Sequence, residues 1–192
     1  MDAESALPER ARVALARLVE GNRKFVAEMP FDADLSAARV TQLAADGQHP
    51  FATVIACSDA RVAPEHLFRC GLGDIFCIRT AGNTIGPGEL ASAVYGSAHL
   101  GAPLLVVLGH TGCGAVGAAL EPGDHGALEP ILGKIRAAIG DERDPHAASV
   151  ANVRAGIDTL RAQTDLARLE TVGALAIVGA LYHTDTGAVT LL

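Results

Sequence analysis

Two short groups of reactive side chains each follow an apolar segment of the chain. The first is C-x-D-x-R, with Cys57, Asp59 and Arg61 directly after the apolar run 51–56. The second is H-x-x-C, with His110 and Cys113 directly after the apolar run 102–109. A buried strand has no packing use for a thiol, a carboxylate and a guanidinium in quick succession. Both groups therefore point to chemistry at the ends of strands.

Two thiols and one imidazole form a sulfur-and-nitrogen ligand set of the kind that zinc prefers, and three protein ligands with one open position are typical of catalytic zinc. Cys113 lies at the predicted start of a helix, where the helix dipole lowers the pKa of a thiol, so we expect it to ionise readily. Gly109, Gly112 and Gly114 allow the tight backbone that a metal-binding loop needs.

Taken singly, these residues have ordinary explanations. A free cysteine is most often a buried structural thiol. A histidine at a strand end is most often a hydrogen-bonded loop residue, and Asp and Arg two positions apart are most often a cap and a solvated cation. Both groups occur together after strands of one pattern, however, and this favours a metal site. Cys70 and Cys77 belong to neither group, and we predict that they are buried or partly buried thiols.

The elements that position these groups alternate along the chain as apolar runs and helix-like stretches. Runs that are apolar on both faces indicate buried, mostly parallel strands, and their alternation with helices indicates an α/β sheet covered on both sides. Ligands bind at the carboxyl ends of such strands, so neighbouring strands would bring Cys57 close to His110 and Cys113. The predicted strands are 51–56, 74–78, 102–109, 174–182 and 187–192, the last an antiparallel edge strand, and the predicted helices are 63–69, 88–100, 114–120, 128–139 and 146–163.

The N-terminal segment has the pattern of an amphipathic helix. Apolar residues recur at helical spacing within 13–26, and the pattern predicts a helix over 8–28 with a break at Gly21. Residues 29–49 are expected to form a loop with a short helix. We treat 1–192 as a single domain in which 1–28 is a helical arm that packs on a partner subunit.

Composition excludes several classes of protein. Hydrophobic residues make up 49% of the 192 residues and charged residues 19%, which is enough apolar material for a packed core and argues against disorder. The net charge of −7 and the lack of a basic run argue against nucleic-acid binding. Neither a signal peptide nor a membrane span is expected, so we predict a cytoplasmic protein with reduced cysteines.

The segments "CSDARV" and "GHTGCGAV" resemble the β-class carbonic anhydrases, whose motifs are C-x-D-x-R and H-x-x-C. Further ordered matches extend the resemblance over most of the chain. It implies an α/β fold with a central, mostly parallel sheet flanked by helices, an antiparallel edge strand and an N-terminal helical arm. The other matching segments are "ALARLVEGNRKFV", "GLGDIFCIRTAGN", "ASVANVRAGIDTL" and "AIVGALYHTDTGAV".

The resemblance implies that Cys57, His110 and Cys113 hold one Zn²⁺ per chain, with Asp59 and Arg61 beside it. The implied reaction is the reversible hydration of carbon dioxide to bicarbonate and a proton, by a zinc-bound hydroxide that the Asp–Arg pair orients. It also implies a dimer or a tetramer. Two alternatives stay open: hydrolysis of carbonyl sulfide or carbon disulfide at the same zinc site, and a non-catalytic zinc-binding module.

Overall fold

The protein is built on a five-stranded sheet in the order β2-β1-β3-β4-β5, as seen in a computed structural model that describes residues 6–192. Strands β1 to β4 pair in parallel and β5 pairs antiparallel with β4 at one edge. This confirms the predicted α/β architecture, including the edge strand. The strands are β1 Ala52–Cys57, β2 Ile75–Thr80, β3 Leu104–His110, β4 Ala176–Tyr182 and β5 Val189–Leu191.

Eight α-helices surround the sheet in the described part of the chain. The predicted helix over 88–100 is α-helical only to Val94 and continues as a π-helical turn over Tyr95–His99. No helix within residues 6–192 has the length and apolar character to cross a membrane. The helices are α1 Glu9–Val26, α2 Ala37–Asp46, α3 Pro64–Leu67, α4 Pro87–Val94, α5 Gly114–Leu120, α6 Glu129–Ile139, α7 Pro145–Arg161 and α8 Thr164–Thr171.

Helix α8 was not predicted from the sequence, because its eight residues directly follow α7 without a clear break in polarity. The break is made by Gln163, whose side chain accepts a hydrogen bond from the backbone N–H of Leu166 at 2.9 Å. A glutamine is an uncommon N-cap residue, so the sequence carries little warning of a new helix here.

The central strands are buried on both faces. Leu104, Val106 and Leu108 of β3 belong to the core on the side of α1. Leu105 and Val107 belong to the core on the opposite side, together with residues of α7. The apolar runs of the sequence therefore correspond to strands that helices cover on both sides. This rigid sheet fixes the positions of the side chains at its carboxyl edge.

Helix α1 runs through Gly21 without interruption, so the predicted break there is wrong. Glycine is needed at this position because a Cβ atom would lie 1.8 Å from the carbonyl oxygen of Phe68. The inner face of α1 packs on its own chain, and Ala11, Leu15 and Leu18 are buried there. Packing on a partner subunit stays a prediction, and it concerns the exposed face of the helix. Residues 1–5 of the predicted arm lie outside the described part of the chain.

The side chain of Asn22 joins α1 to two distant segments. Its Nδ2 donates hydrogen bonds to the carbonyl oxygens of Leu67 at 3.3 Å and Gly187 at 2.9 Å. Its Oδ1 accepts a hydrogen bond from the N–H of Val189 at 2.9 Å. Asn22 is buried, and these bonds satisfy its carboxamide inside the core. The contact ties the first helix to the β4–β5 hairpin.

Replacing Gly21 by alanine is expected to destabilise the fold by about 1–3 kcal/mol, because the new Cβ atom forces α1 and the Phe68 backbone apart. Urea denaturation at one fixed protein concentration measures the change in the free energy of unfolding. Gly133→Ala is the matched control, since Gly133 lies in α6 and a Cβ atom there meets no atom within 4 Å. Helix propensity predicts that the control gains about 0.5–1 kcal/mol. Equal effects of the two substitutions would contradict the packing argument.

Candidate metal centre

The two reactive groups meet at the carboxyl edge of the sheet. Cys57 is the last residue of β1 and His110 is the last residue of β3, and these strands are direct neighbours. Cys113 precedes the first residue of α5. One ligand atom from each of the three residues lies within 4.8 Å of the other two. All three side chains are buried. The fold therefore brings together three candidate ligands that lie far apart in the sequence.

The two ring nitrogens of His110 differ in their surroundings: one is hydrogen-bonded and the other is not. Its Nδ1 lies 3.0 Å from the carbonyl oxygen of Thr111. A carbonyl oxygen only accepts hydrogen bonds, so Nδ1 carries the proton and Nε2 keeps its lone pair. Nε2 is buried and has no hydrogen-bond partner among residues 6–192. A buried nitrogen with a free lone pair that faces two sulfur atoms has the arrangement of a metal ligand.

The sulfur of Cys57 accepts hydrogen bonds from the backbone. The N–H of Gly82 donates to it at 3.2 Å and the N–H of Asp59 at 3.4 Å. The hydrogen bond from Cys113 lowers the pKa of Cys57, and the contacts with His110 and the two N–H groups act in the same direction. The protein therefore favours a thiolate at Cys57, which is the form that binds metal ions.

The sequence predicts a lowered pKa for the Cys113 thiol, and this prediction is wrong. Its hydrogen bond to Cys57 and its burial raise the pKa of Cys113, while the backbone N–H groups of Val116 and Ala115 at the start of α5 lower it less. The reason is the close contact of the two sulfurs, because a second negative charge beside the Cys57 thiolate is unfavourable. Only a cation between the sulfurs would make two thiolates favourable.

Asp59 and Arg61 form a two-pronged ion pair beside these ligands. Nε of Arg61 donates to Oδ1 of Asp59 at 2.9 Å, and Nη2 donates to Oδ2 at 2.7 Å. Nη2 also donates to the carbonyl oxygen of Gly112 at 3.1 Å, which links the two motif loops. Gly112 has a φ of +63°, a left-handed conformation that suits glycine.

The carboxylate of Asp59 points toward the ligand set. Its Oδ2 lies 4.0 Å from Nε2 of His110. The hydrogen bonds from the Arg61 side chain hold the pKa of Asp59 well below its usual range. The side chain of Asp59 is 19% exposed and that of Arg61 is 56% exposed. The pair therefore presents an ionised and fixed acceptor at the border between the buried ligands and solvent.

Three further residues support the site, although the motifs do not include them. Arg79 donates to the carbonyl oxygens of Cys57 at 3.0 Å and Asp59 at 2.8 Å. Asn152 of α7 donates to the carbonyl oxygen of Gly82 at 2.8 Å, and Gly82 in turn donates to the Cys57 sulfur. Arg79 and Gly82 lie in "GLGDIFCIRTAGN" and Asn152 lies in "ASVANVRAGIDTL", so the resemblance of these segments was a usable signal.

The donor set fits zinc. It consists of two sulfur atoms and one imidazole nitrogen, which is the ligand chemistry of zinc with a fourth position left for water or substrate. A divalent cation between the three ligand atoms would give Nε2 of His110 the partner it lacks and would stabilise both sulfurs as thiolates. Cys70 is buried and Cys77 is partly buried, as predicted, and burial raises the pKa of each thiol to about 12.

Comparison with known proteins places this geometry in a family. The family model described as carbonic anhydrase matches residues 52–189. Carbonic anhydrase 2 of Mycobacterium tuberculosis is 37% identical over 185 residues, which cover 91% of this chain and 89% of the relative.

Solved structures share the fold. The β-carbonic anhydrase CafA of Aspergillus fumigatus superposes with a TM-score of 0.74 at 27% identity, covering 94% of this chain and 89% of that one. A tetrameric β-carbonic anhydrase of Sordaria macrospora superposes with a TM-score of 0.72 at 26% identity, covering 81% of this chain and 87% of that one. Because sequence, fold and ligand geometry agree, this chain belongs to the β-class carbonic anhydrase family.

Proposed function

We propose that this protein is a zinc enzyme that catalyses the reversible hydration of carbon dioxide to bicarbonate and a proton. Cys57, His110 and Cys113 would hold the metal, and Asp59 and Arg61 would serve the reaction beside it. The observation that carries the proposal is the convergence of three ligand atoms within 4.8 Å, with an unpartnered imidazole nitrogen, next to a fixed carboxylate. A purely structural zinc site has no need for that carboxylate.

Zinc held by these ligands would supply a strong local charge, which would lower the pKa of a bound water from about 15.7 to about 7. The carboxylate of Asp59 stays ionised and accepts a hydrogen bond from the attacking oxygen. Its Oδ2 is 4.0 Å from Nε2 of His110, and this short distance supports a contact with a molecule held beside the ligand candidates. By accepting that hydrogen bond, Asp59 turns a lone pair of the nucleophile toward the carbon of carbon dioxide.

Arg61 positions Asp59. A guanidinium matches a carboxylate with two parallel hydrogen bonds, so the carboxylate cannot rotate freely or swing toward the metal ligands. The third hydrogen bond, to Gly112, ties this pair to the loop that carries His110 and Cys113. The geometry of the carboxylate is thereby coupled to the geometry of the ligand set.

The neighbourhood of the ligands is apolar on one side. Cys57 and Cys113 pack in a cluster with Val116, Leu132 and Ile135. Carbon dioxide is uncharged and nonpolar, so such a wall carries no desolvation cost for the substrate. The same wall strengthens the electrostatic interaction between the reacting groups, because the local dielectric constant is low.

Metal analysis of the purified chain, coupled to stopped-flow assays from about pH 6 to pH 9, tests the proposal. We expect one zinc ion per chain and carbon dioxide hydration that increases with pH. Release of hydrogen sulfide from carbonyl sulfide is measured in parallel. A zinc-loaded protein that is inactive with carbon dioxide at alkaline pH would contradict the proposal. Faster turnover of carbonyl sulfide than of carbon dioxide would reassign the substrate.

We also propose that the protein associates with copies of itself through α1. Val13, Val19 and Val26 are 51%, 49% and 46% exposed on this helix. Exposed apolar side chains along one helix are typical of an association surface. The Sordaria macrospora relative is tetrameric, which supports association of this chain.

The double substitution Val19→Asp and Val26→Asp is expected to shift the protein toward monomers, because it places two charges in the proposed interface. Light scattering of the full chain measures the molar mass. Leu128→Asp is the control, since Leu128 is 52% exposed on the connection before α6. An unchanged mass for the double variant, or an equal loss of mass in the control, would reject α1 as the interface.

A further inference from the structure

The hairpin between β4 and β5 begins beside the loop that carries His110 and Cys113. His110 pairs with Tyr182 in the register of β3 and β4, so these two strands end at the same level. The N–H of Thr111 continues the pairing by donating to the carbonyl oxygen of Tyr182 at 2.9 Å. The hairpin turn that follows Tyr182 therefore starts next to the ligand loop, although it belongs to neither of the two sequence motifs.

Two threonine side chains join this hairpin to the ligand loop. The N–H of Thr184 donates to Oγ1 of Thr111 at 3.0 Å, and the two hydroxyl oxygens are 3.1 Å apart. Oγ1 of Thr184 also donates to the carbonyl oxygen of Thr111 at 3.3 Å. The same carbonyl oxygen lies 3.0 Å from Nδ1 of His110 and accepts its proton. One carbonyl oxygen thus accepts hydrogen bonds from both the hairpin and a metal-ligand candidate.

The direction of these hydrogen bonds follows from which atoms can donate. The backbone N–H of Thr184 can only donate, the carbonyl oxygen of Thr111 can only accept, and each hydroxyl has one proton. All three contacts are therefore made together in one arrangement. The Thr184 N–H donates to the Thr111 hydroxyl, which donates to the Thr184 hydroxyl, which donates to the Thr111 carbonyl. Hydrogen bonds in such a chain strengthen one another, so this carbonyl is fixed more firmly than by one isolated contact.

The hairpin is itself anchored on both sides of Thr184. The N–H of Gly187 donates to the carbonyl oxygen of His183 at 2.8 Å, and the N–H of His183 donates to that of Ala188 at 2.8 Å. Asn22 of α1 donates to the carbonyl oxygen of Gly187 at 2.9 Å. Thr184 therefore contacts the ligand loop from a support that the rest of the fold holds in place.

We propose that Thr184 is a positioning residue for the metal centre. By fixing the carbonyl oxygen of Thr111, it sets the orientation of the His110 ring and keeps the lone pair of Nε2 directed at the two sulfurs. Groups that hydrogen-bond the second nitrogen of a metal-binding histidine typically change metal affinity or activity by about 10–100-fold. Thr184 acts through such a group, so its effect lies at the lower end of that range. The inference rests on the proposed ligand set of Cys57, His110 and Cys113.

Thr184→Val tests the proposal, because valine has the shape of threonine but no hydroxyl. We expect the Kd for zinc, measured by competition with a chromophoric chelator, to increase about tenfold. Thr184→Ser keeps the hydroxyl and should restore an affinity close to that of the wild type. Thr186→Val is the matched control, since Thr186 is exposed in the same hairpin and its Oγ1 accepts a hydrogen bond from the N–H of Ala188 at 3.3 Å. This control should keep the wild-type affinity.

The Nδ1–H proton of His110 gives a second readout, which a merely structural role of Thr184 would leave unchanged. In the zinc-loaded, isotope-labelled chain, NMR measures the exchange of this proton with solvent and thereby reports its hydrogen bond to the Thr111 carbonyl. Exchange should become about tenfold faster in Thr184→Val, as expected for the loss of about one hydrogen bond. Thr184→Ser and Thr186→Val should exchange at the wild-type rate.

Wild-type zinc affinity in Thr184→Val, with circular dichroism showing a folded chain, would overturn the proposal. So would an equal loss of affinity in Thr186→Val, or a loss of affinity without faster exchange at His110, because the hydroxyl would then not act through the imidazole. The wild type separates this inference from the proposed function. A wild-type chain that binds no zinc would overturn the ligand set itself, and the role of Thr184 with it.

Discussion

Cys57→Ser is expected to lower the zinc content to less than about a tenth of the wild-type value and to abolish carbon dioxide hydration. Serine has a neutral hydroxyl in place of a sulfur that the protein favours as a thiolate. Two ligands would remain, and His110 Nε2 would have one sulfur neighbour instead of two. Metal analysis after dialysis against a chelator, with a stopped-flow assay of the same sample, measures both effects.

Cys77→Ser is the matched control for this substitution. Cys77 lies in β2 and is partly buried, and burial raises the pKa of its thiol to about 12. It lies outside the cluster of Cys57, His110 and Cys113, so zinc content and activity should stay at the wild-type level. Circular dichroism establishes that both variants are folded. Full zinc content in folded Cys57→Ser, or equal losses in the two variants, would refute the proposed ligand set.

Asp59→Asn is expected to keep one zinc ion per chain but to reduce kcat/KM about 100-fold or more. The substitution removes the negative charge and puts an NH₂ group where one carboxylate oxygen accepts. The carboxamide has a single acceptor oxygen, so it cannot accept both of the hydrogen bonds that Arg61 donates to the two carboxylate oxygens of Asp59. The site then lacks a fixed acceptor beside His110. Metal analysis and stopped-flow kinetics at several pH values separate the loss of metal from the loss of turnover.

Asp158→Asn provides the control, because Asp158 is exposed on α7, far along the chain from both motifs. It should match the wild type in zinc content and rate. Wild-type turnover by Asp59→Asn would remove the role given to this carboxylate. A loss of zinc together with turnover would instead make Asp59 a structural support of the ligand set.

Arg61→Gln should show the same pattern as Asp59→Asn in a weaker form, since Arg61 acts through Asp59.

Much of this site was predictable because its ligands follow strands. Cys57 and His110 each come directly after an apolar run, and in a parallel sheet the carboxyl ends of neighbouring strands share one edge. What sequence spacing does not encode is the neighbour order of the strands. The order β2-β1-β3 places β3 beside β1, although β2 lies between them along the chain.

Other features depend on contacts that no local pattern contains. Gly21 resembles a helix breaker in the sequence, but it is needed where α1 meets the Phe68 backbone. The pKa of Cys113 was expected to follow the start of α5, but the neighbouring sulfur of Cys57 has the larger effect. In both cases a residue distant in sequence outweighs the local signal, and only the folded structure reveals it.

The Asn22 contact has a consequence for how the protein is made. Asn22 and Gly187 are 165 residues apart, so a ribosome must synthesise almost all of the intervening chain before this helix can meet its partner. Until then, the apolar face of α1 lacks the hairpin against which it closes. Nascent chains stalled before Gly187 should therefore expose this helix to chaperones and proteases, and release of the finished hairpin should end that exposure.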